Sequence, residues 1–118
     1  MNREPLRRWI INNNDSFCRV KNVPARVANR LPDKYGYLDL KSSQNNSPTM
    51  KEMMDISLKY NGVLEGYIIP FSSRRKDCRI SFDGFIINVS ADIAMKLYDC
   101  FSPDEFSLYE GGYRFWWD

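Results

Sequence analysis

The chain has 118 residues, a formal net charge of +2 at pH 7 and 43% hydrophobic residues. This length fits one domain around one core, and this composition lies far from the low hydrophobicity of disordered chains. No apolar run reaches the roughly 18 residues that a membrane helix needs, and residues 9–11 lead into asparagines rather than into a signal-peptide cleavage site. We therefore expect a soluble, cytoplasmic protein without a membrane partner.

The charges divide unevenly along the chain. Residues 1–41 contain nine of the 17 basic and four of the 15 acidic residues, whereas residues 42–118 contain eight and eleven. Within a single domain spanning 1–118, we expect a basic, helical N-terminal part at 1–34, followed by sheet and helices over 35–118. The asymmetry fits either a surface that faces a polyanion or an ordinary solvated surface.

The first predicted element is a short helix. Leu6, Trp9 and Ile10 recur at the spacing of one helical face, and Pro5 suits a first helical turn. The helix should end in the asparagines at 12–14.

A second short helix is predicted after Pro24, because Val27 and Leu31 lie one helical turn apart. The segment 35–41 then alternates apolar and polar side chains, which predicts a half-buried strand. A polar loop over 42–49 follows it.

The next segment carries a strong helix signal. Ser47 is predicted to cap this helix, Pro48 to occupy its first position, and the Asn-Gly pair at 61–62 to end it. The helical spacing selects Met50, Met53, Met54, Ser57 and Leu58. We interpret this stripe as part of the core rather than as an adaptable binding face. Residues 63–69 are apolar and β-branched and predict a strand.

A hairpin is predicted around Asp83-Gly84, a pair typical of tight two-residue turns. In that arrangement the apolar side chains share one face, with Phe82 opposite Phe85, Ile80 opposite Ile87 and Cys78 opposite Val89. Three basic residues precede this segment: Arg74, Arg75 and Lys76. They suit either a binding loop or charged protection of an aggregation-prone strand.

The last elements are a helix and a second hairpin. Ser90 should cap a helix whose apolar stripe contains Ile93, Leu97 and Phe101. Gly111-Gly112 should form the turn of the hairpin. That turn would place Tyr109 opposite Arg114 and Trp116 opposite Ser107.

Together these elements predict an α+β domain with a mainly antiparallel sheet of five or six strands and with helices packed on its apolar face. Hairpins should connect most of the strands. No internal repeat or second domain is indicated.

The absence of histidine excludes the common nucleophile–histidine arrangements and histidine-containing zinc sites. The glycines form no phosphate-binding motif, and Cys18, Cys78 and Cys100 form no close pair that would hold a metal or indicate a disulfide framework. We therefore expect a protein that is not an enzyme and that uses no cofactor or metal.

Two binding functions remain. A protein-binding module would use the aromatic and basic residues that are enriched at interface hot spots, here Tyr109, Arg114, Trp116, Arg74, Arg75 and Lys76. The size suits a compact inhibitor of the immunity-protein or phage anti-defence (anti-CRISPR-like) type, which would occlude a partner protein; this is an analogy of type without a family resemblance. The alternative is a nucleic-acid-binding protein that uses the loop at 74–76 together with Arg7, Arg8, Arg19, Lys21, Arg26 and Arg30.

Overall fold

A computed structural model describes residues 4–13, 18–31, 38–43, 46–69 and 79–118. The elements in chain order are a 3-10 helix (Glu4–Trp9), β1 (Ile10–Asn13), β2 (Cys18–Pro24), α1 (Ala25–Ala28), α2 (Met50–Lys59), β3 (Val63–Ile69), β4 (Arg79–Ile87), α3 (Ala91–Phe101), β5 (Glu105–Tyr109) and β6 (Gly112–Trp116). The six strands form one antiparallel sheet in the order β1-β2-β3-β4-β6-β5. This confirms the predicted α+β class.

The sheet has two different faces. One face, which we call the core face, carries the buried apolar side chains Val20, Leu64, Ile68, Phe82, Phe85, Ile87 and Phe115. Each helical segment adds to the same cluster, through Leu6, Ala28, Met53 and Ala94. Because side chains alternate along a strand, charged residues of β2, β3 and β6 project from the opposite face, which we call the polar face.

Helix α2 follows the predicted pattern at its apolar positions. Met50, Met53 and Met54 are buried, which confirms them as core residues, whereas Leu58 is 50% exposed. The cap is Thr49 rather than the predicted Ser47. Its hydroxyl accepts a hydrogen bond from the backbone N–H of Glu52, whose carboxylate in turn accepts one from the Thr49 N–H, so both N–H groups are satisfied by a capping box.

Helix α3 begins where the sequence predicted. The hydroxyl of Ser90 accepts a hydrogen bond from the Ile93 N–H at 3.3 Å. At the other end of the helix, the indole N–H of Trp117 donates to the carbonyl of Phe101 at 3.0 Å. This bond ties α3 to the segment that follows β6.

The prediction of a helical part at 1–34 is wrong for much of its length. The first helix is a 3-10 helix that ends at Trp9, and Ile10 already belongs to β1. Strand β2 was not predicted at all, although the helix after Pro24 is present as the four residues of α1. The predicted strand at 35–41 is also wrong where the structure describes it, because residues 38–41 pair with no strand and residues 40–41 lie in a turn.

The hairpin predicted at Asp83-Gly84 is wrong as well, because β4 passes straight through both residues. Gly84 pairs with Glu65 of β3, whereas Asp83 has no partner there and forms a β-bulge. Because Asp83 is an extra residue in β4, Phe85 and Ile87 project from the same face of the sheet as Ile80 and Phe82. The four side chains expected to be buried together are therefore buried: Ile80, Phe82, Phe85 and Ile87.

The C-terminal hairpin is present, but its loop is Glu110-Gly111 rather than Gly111-Gly112. Gly111 has a φ of +90°, which favours glycine. The observed pairs are Tyr109 with Gly112, Ser107 with Arg114, and Glu105 with Trp116. The predicted pairing of Tyr109 with Arg114 is thus wrong, although the predicted faces hold because a shift of two residues preserves side-chain alternation.

Candidate functional site on the polar face

A line of ion pairs crosses the polar face and has Glu65 at its centre. One oxygen of the Glu65 carboxylate accepts a hydrogen bond from Arg19 at 2.8 Å, and the other accepts one from Nε of Arg114 at 2.7 Å. The side chain of Glu65 is 6% exposed and each arginine side chain is 18% exposed. Because buried ions require partners, these three side chains depend on one another.

Asp83 extends this line of ion pairs from the bulge of β4. Its Oδ2 accepts a hydrogen bond from Arg19 at 2.6 Å. Burial raises the pKa of Asp83 and outweighs the lowering by Arg19, while the neighbouring charge of Glu65 raises it further. Burial acts to lower the pKa of Arg19, but its hydrogen bonds and charge interactions with Asp83 and Glu65 outweigh that effect and the pKa is raised.

Two further groups complete this region. The guanidinium of Arg114 lies 5.6 Å from the centre of the Trp116 ring and also approaches Glu105, at 3.7 Å. Oδ1 of Asp83 and Nε1 of Trp116 are buried and lack a hydrogen-bond partner in the part of the chain that the structure describes.

An open pocket lies beside these ion pairs. Its empty volume is about 350 Å³, part of which is open solvent, and five strands contribute to its lining. Its polar lining residues include Lys21, Asn22, Glu65 and Arg114, and Tyr109 and Ile86 are among its aromatic and apolar ones. Lys21 forms no ion pair with any other described residue. The pocket thus combines a free cation, an aromatic ring and a guanidinium held in place by Glu65.

The structure brings three predicted site residues close together. Tyr109 and Arg114 line the same pocket, and Arg114 contacts Trp116. Only Tyr109 is well exposed, at 52%. Arg114 and Trp116 are half-buried, so their first role is structural. The other three predicted residues, Arg74, Arg75 and Lys76, lie outside the described residues.

The six residues of the nucleic-acid hypothesis are spread over the 3-10 helix, β2, α1 and the turn after α1. They are Arg7, Arg8, Arg19, Lys21, Arg26 and Arg30. Arg19 is already neutralised by two carboxylates, so it offers little to a phosphate. Arg26 and Arg30 are exposed.

The sequence reasoning missed Glu65 and Asp83. Glu65 is the single charge in the apolar strand β3, and an isolated charge in such a strand signals a buried partner. No local signal identifies that partner, because Arg19 and Arg114 are 46 and 49 residues away in the chain.

A second surface, which we call the C-terminal edge, consists of Met95 and Tyr98 of α3 with Leu108 and Tyr109 of β5. Leu108 is 78% exposed, and Met95 and Tyr98 are also exposed. The ring of Phe106 connects α3 to β5 because it lies 5.2 Å from the ring of Tyr98. The edge therefore exposes large side chains on both sides of the last strand, with Leu108 on the side of α3 and Tyr109 on the polar face.

The described ranges give little support for a metal site or a membrane-spanning helix. They contain no group of three or more cysteine, aspartate or glutamate side chains that could hold a metal ion. Cys18 is buried and Cys100 is exposed. None of the helices described is long and apolar enough to cross a membrane.

Comparisons with protein-family models, with curated proteins and with solved structures found no match to this chain.

Proposed function

We propose that the protein is a non-catalytic protein-binding module whose C-terminal edge docks onto a partner protein. The observation that carries this proposal is the exposure of two adjacent large side chains, Leu108 and Tyr109, at the edge of the sheet. Large apolar side chains that are exposed close together at a sheet edge are candidate contacts for a partner protein. By covering a surface of its partner, such a module would act as an inhibitor of the immunity-protein or anti-defence type.

The neighbouring ion pairs support the proposal by making the edge rigid. Arg114 and Trp116 hold β6 against β3 and β4, and β5 pairs along β6. A rigid aromatic anchor loses little conformational entropy on binding, which favours Tyr109 as an interface residue. Nucleic-acid binding is the alternative function, and treatment with nuclease distinguishes it from protein binding.

The test is quantitative capture from a lysate of the host cell, with and without nuclease, on the immobilised protein. Two variants change the edge, Tyr109→Ser and Leu108→Ser, and the matched control Leu58→Ser changes an exposed leucine on α2. We expect wild type and the control to retain one stoichiometric protein, and each edge variant to retain at least about fivefold less, since hot-spot truncation commonly costs more than about 1 kcal/mol. Circular dichroism should show that all variants are folded.

Equal retention by all four proteins would contradict the proposal. Loss of the captured material after nuclease treatment would instead favour the nucleic-acid alternative.

A further inference from the structure

We propose that β5 is a site of strand addition, at which an extended basic segment of a partner protein pairs as a seventh strand. This rests on the proposed function and adds to it the geometry of binding and the chemistry of the partner.

The free edge of β5 provides the hydrogen-bonding groups. β5 ends the strand order and, among the described strands, pairs only with β6. Its five pairs with β6 follow one register without a bulge. In an edge strand with regular pairing, alternate backbone N–H and C=O groups point away from the sheet and can receive another strand.

Among the described residues, β5 shows only some of the features with which natural proteins protect such an edge: it is short and carries Glu105. Lysine, proline, a bulge or a covering segment usually prevents pairing with another chain. The sequence of β5 is Glu-Phe-Ser-Leu-Tyr, and it contains neither lysine nor proline. Leu108 is the most exposed of the large hydrophobic side chains in the described ranges, at 78%. An edge that is both regular and apolar favours a strand partner.

The charge around β5 indicates a basic occupant. From residue 99 onward the chain carries the acidic residues Asp99, Asp104, Glu105, Glu110 and Asp118. The one basic residue in this segment, Arg114, pairs with Glu65 at 2.7 Å and approaches Glu105 at 3.7 Å. One arginine leaves this segment with an excess of carboxylates, which would attract lysine or arginine side chains on an added strand.

A second copy of the chain is a poorer occupant for the same reason. Antiparallel pairing of two β5 strands about Ser107 would place Asp104 of each copy opposite Glu110 of the other. Like charges directly opposite each other destabilise a strand pair.

The side-chain alternation of β5 also defines the pattern of the added strand. Phe106 and Leu108 lie on the side that faces α3, and Glu105 lies on the other side. Apolar residues of the occupant would extend this row and reach Tyr98, while its basic residues would lie beside Glu105. The predicted motif is thus an alternation of basic and β-branched residues.

The test uses the capped peptide Lys-Val-Lys-Val-Lys-Val-Lys and two controls, with glutamate in place of every lysine or with proline in place of the central valine. Fluorescence anisotropy measures binding to the full chain. We expect the lysine peptide to bind at least about tenfold more tightly than either control, because the first lacks the charge complementarity and the second a backbone N–H. Leu108→Ser should weaken binding, Leu58→Ser should not, and amide protons of β5 should become protected from hydrogen exchange.

Equal affinity for the proline peptide would show attraction by charge alone and would overturn strand addition, as would the absence of saturable binding. Dimerisation of the free chain that Leu108→Ser abolishes would identify a second copy as the occupant and would also overturn it. If the lysine peptide does not bind while Tyr109→Ser still abolishes capture of the host protein, strand addition is refuted and the proposed function is retained. If the peptide binds but capture does not depend on Leu108 or Tyr109, the proposed function falls instead.

Discussion

Arg114 on β6 donates a hydrogen bond to Glu65 on β3 at 2.7 Å, although the whole of strand β4 lies between them. Gly84 occupies the position in β4 that pairs with Glu65 on one side and with Trp116 on the other. Because this residue has no side chain, the charged and aromatic groups of the flanking strands can meet above it.

Replacement of Gly84 by alanine should therefore destabilise the protein. A Cβ atom there would lie 2.8 Å from the carbonyl oxygen of Phe115, 3.0 Å from the Trp116 ring and 3.1 Å from Cγ of Glu65. We expect a loss of about 1–3 kcal/mol in the free energy of unfolding, the usual cost of overpacking, measured by urea denaturation. The φ of Gly84 is not positive, so without this crowding alanine would be neutral or stabilising, and such a result would contradict the argument.

Replacement of Glu65 by glutamine should also destabilise the fold, because it leaves two half-buried arginines without their shared carboxylate. Hydrogen bonds to charged groups contribute about 1.5–3 kcal/mol each, and we expect a loss within that range after allowance for the partial exposure of both arginines. Asp55→Asn is the matched control, since it removes the charge of an exposed pair with Lys51 at 2.8 Å. The control should change stability by less than about 0.5 kcal/mol. Equal effects of the two changes would show that burial of the Glu65 pairs contributes nothing.

Asp83 should give the protein a distinct pH dependence. Burial raises its pKa above the ordinary value of 3.8, so the folded state binds this proton at a higher pH than the unfolded state does. The resulting stabilisation is fully present below about pH 3.8 and is lost as the pH rises through the folded-state pKa. The Asp83→Asn variant has no titratable group at this position, so its stability should not show this decrease with pH.

Denaturation of both proteins between about pH 3 and about pH 7 measures the effect. The free energy of unfolding of wild type minus that of the variant should fall as the pH rises. A difference that stays constant or increases with pH would show that the pKa of Asp83 is not raised.

The capping box of α2 gives a local prediction. Thr49→Ala removes the hydroxyl that accepts from the Glu52 N–H and should cost about 1 kcal/mol. Thr49→Ser retains the oxygen and should cost less. If both variants melt at the wild-type temperature, the cap does not contribute to the stability of α2.

Several features of this protein could be predicted from local sequence alone. The apolar spacing in α2, the cap at Ser90 and the alternation in β5 and β6 specify which side chains face the core, since burial of apolar surface follows the period of each element. These signals act over a few residues. They predicted the α+β class and the buried methionines of α2, but not the buried residues of β2.

Tertiary structure decided between alternatives that share one local pattern. The spacing of Phe82 and Phe85 suits either a two-residue turn or a bulge, because both return the chain to the same face. Asp83 bonds to Arg19, 64 residues away, and only the assembled sheet provides that partner. Likewise, only the pairing of β3, β4 and β6 brings Glu65 and Arg114 together. Local sequence predicted the buried methionines of α2 and the buried apolar residues of β4. The packing of distant strands decided the burial of β2 and which charges meet, because contacts between distant strands produce no local periodicity.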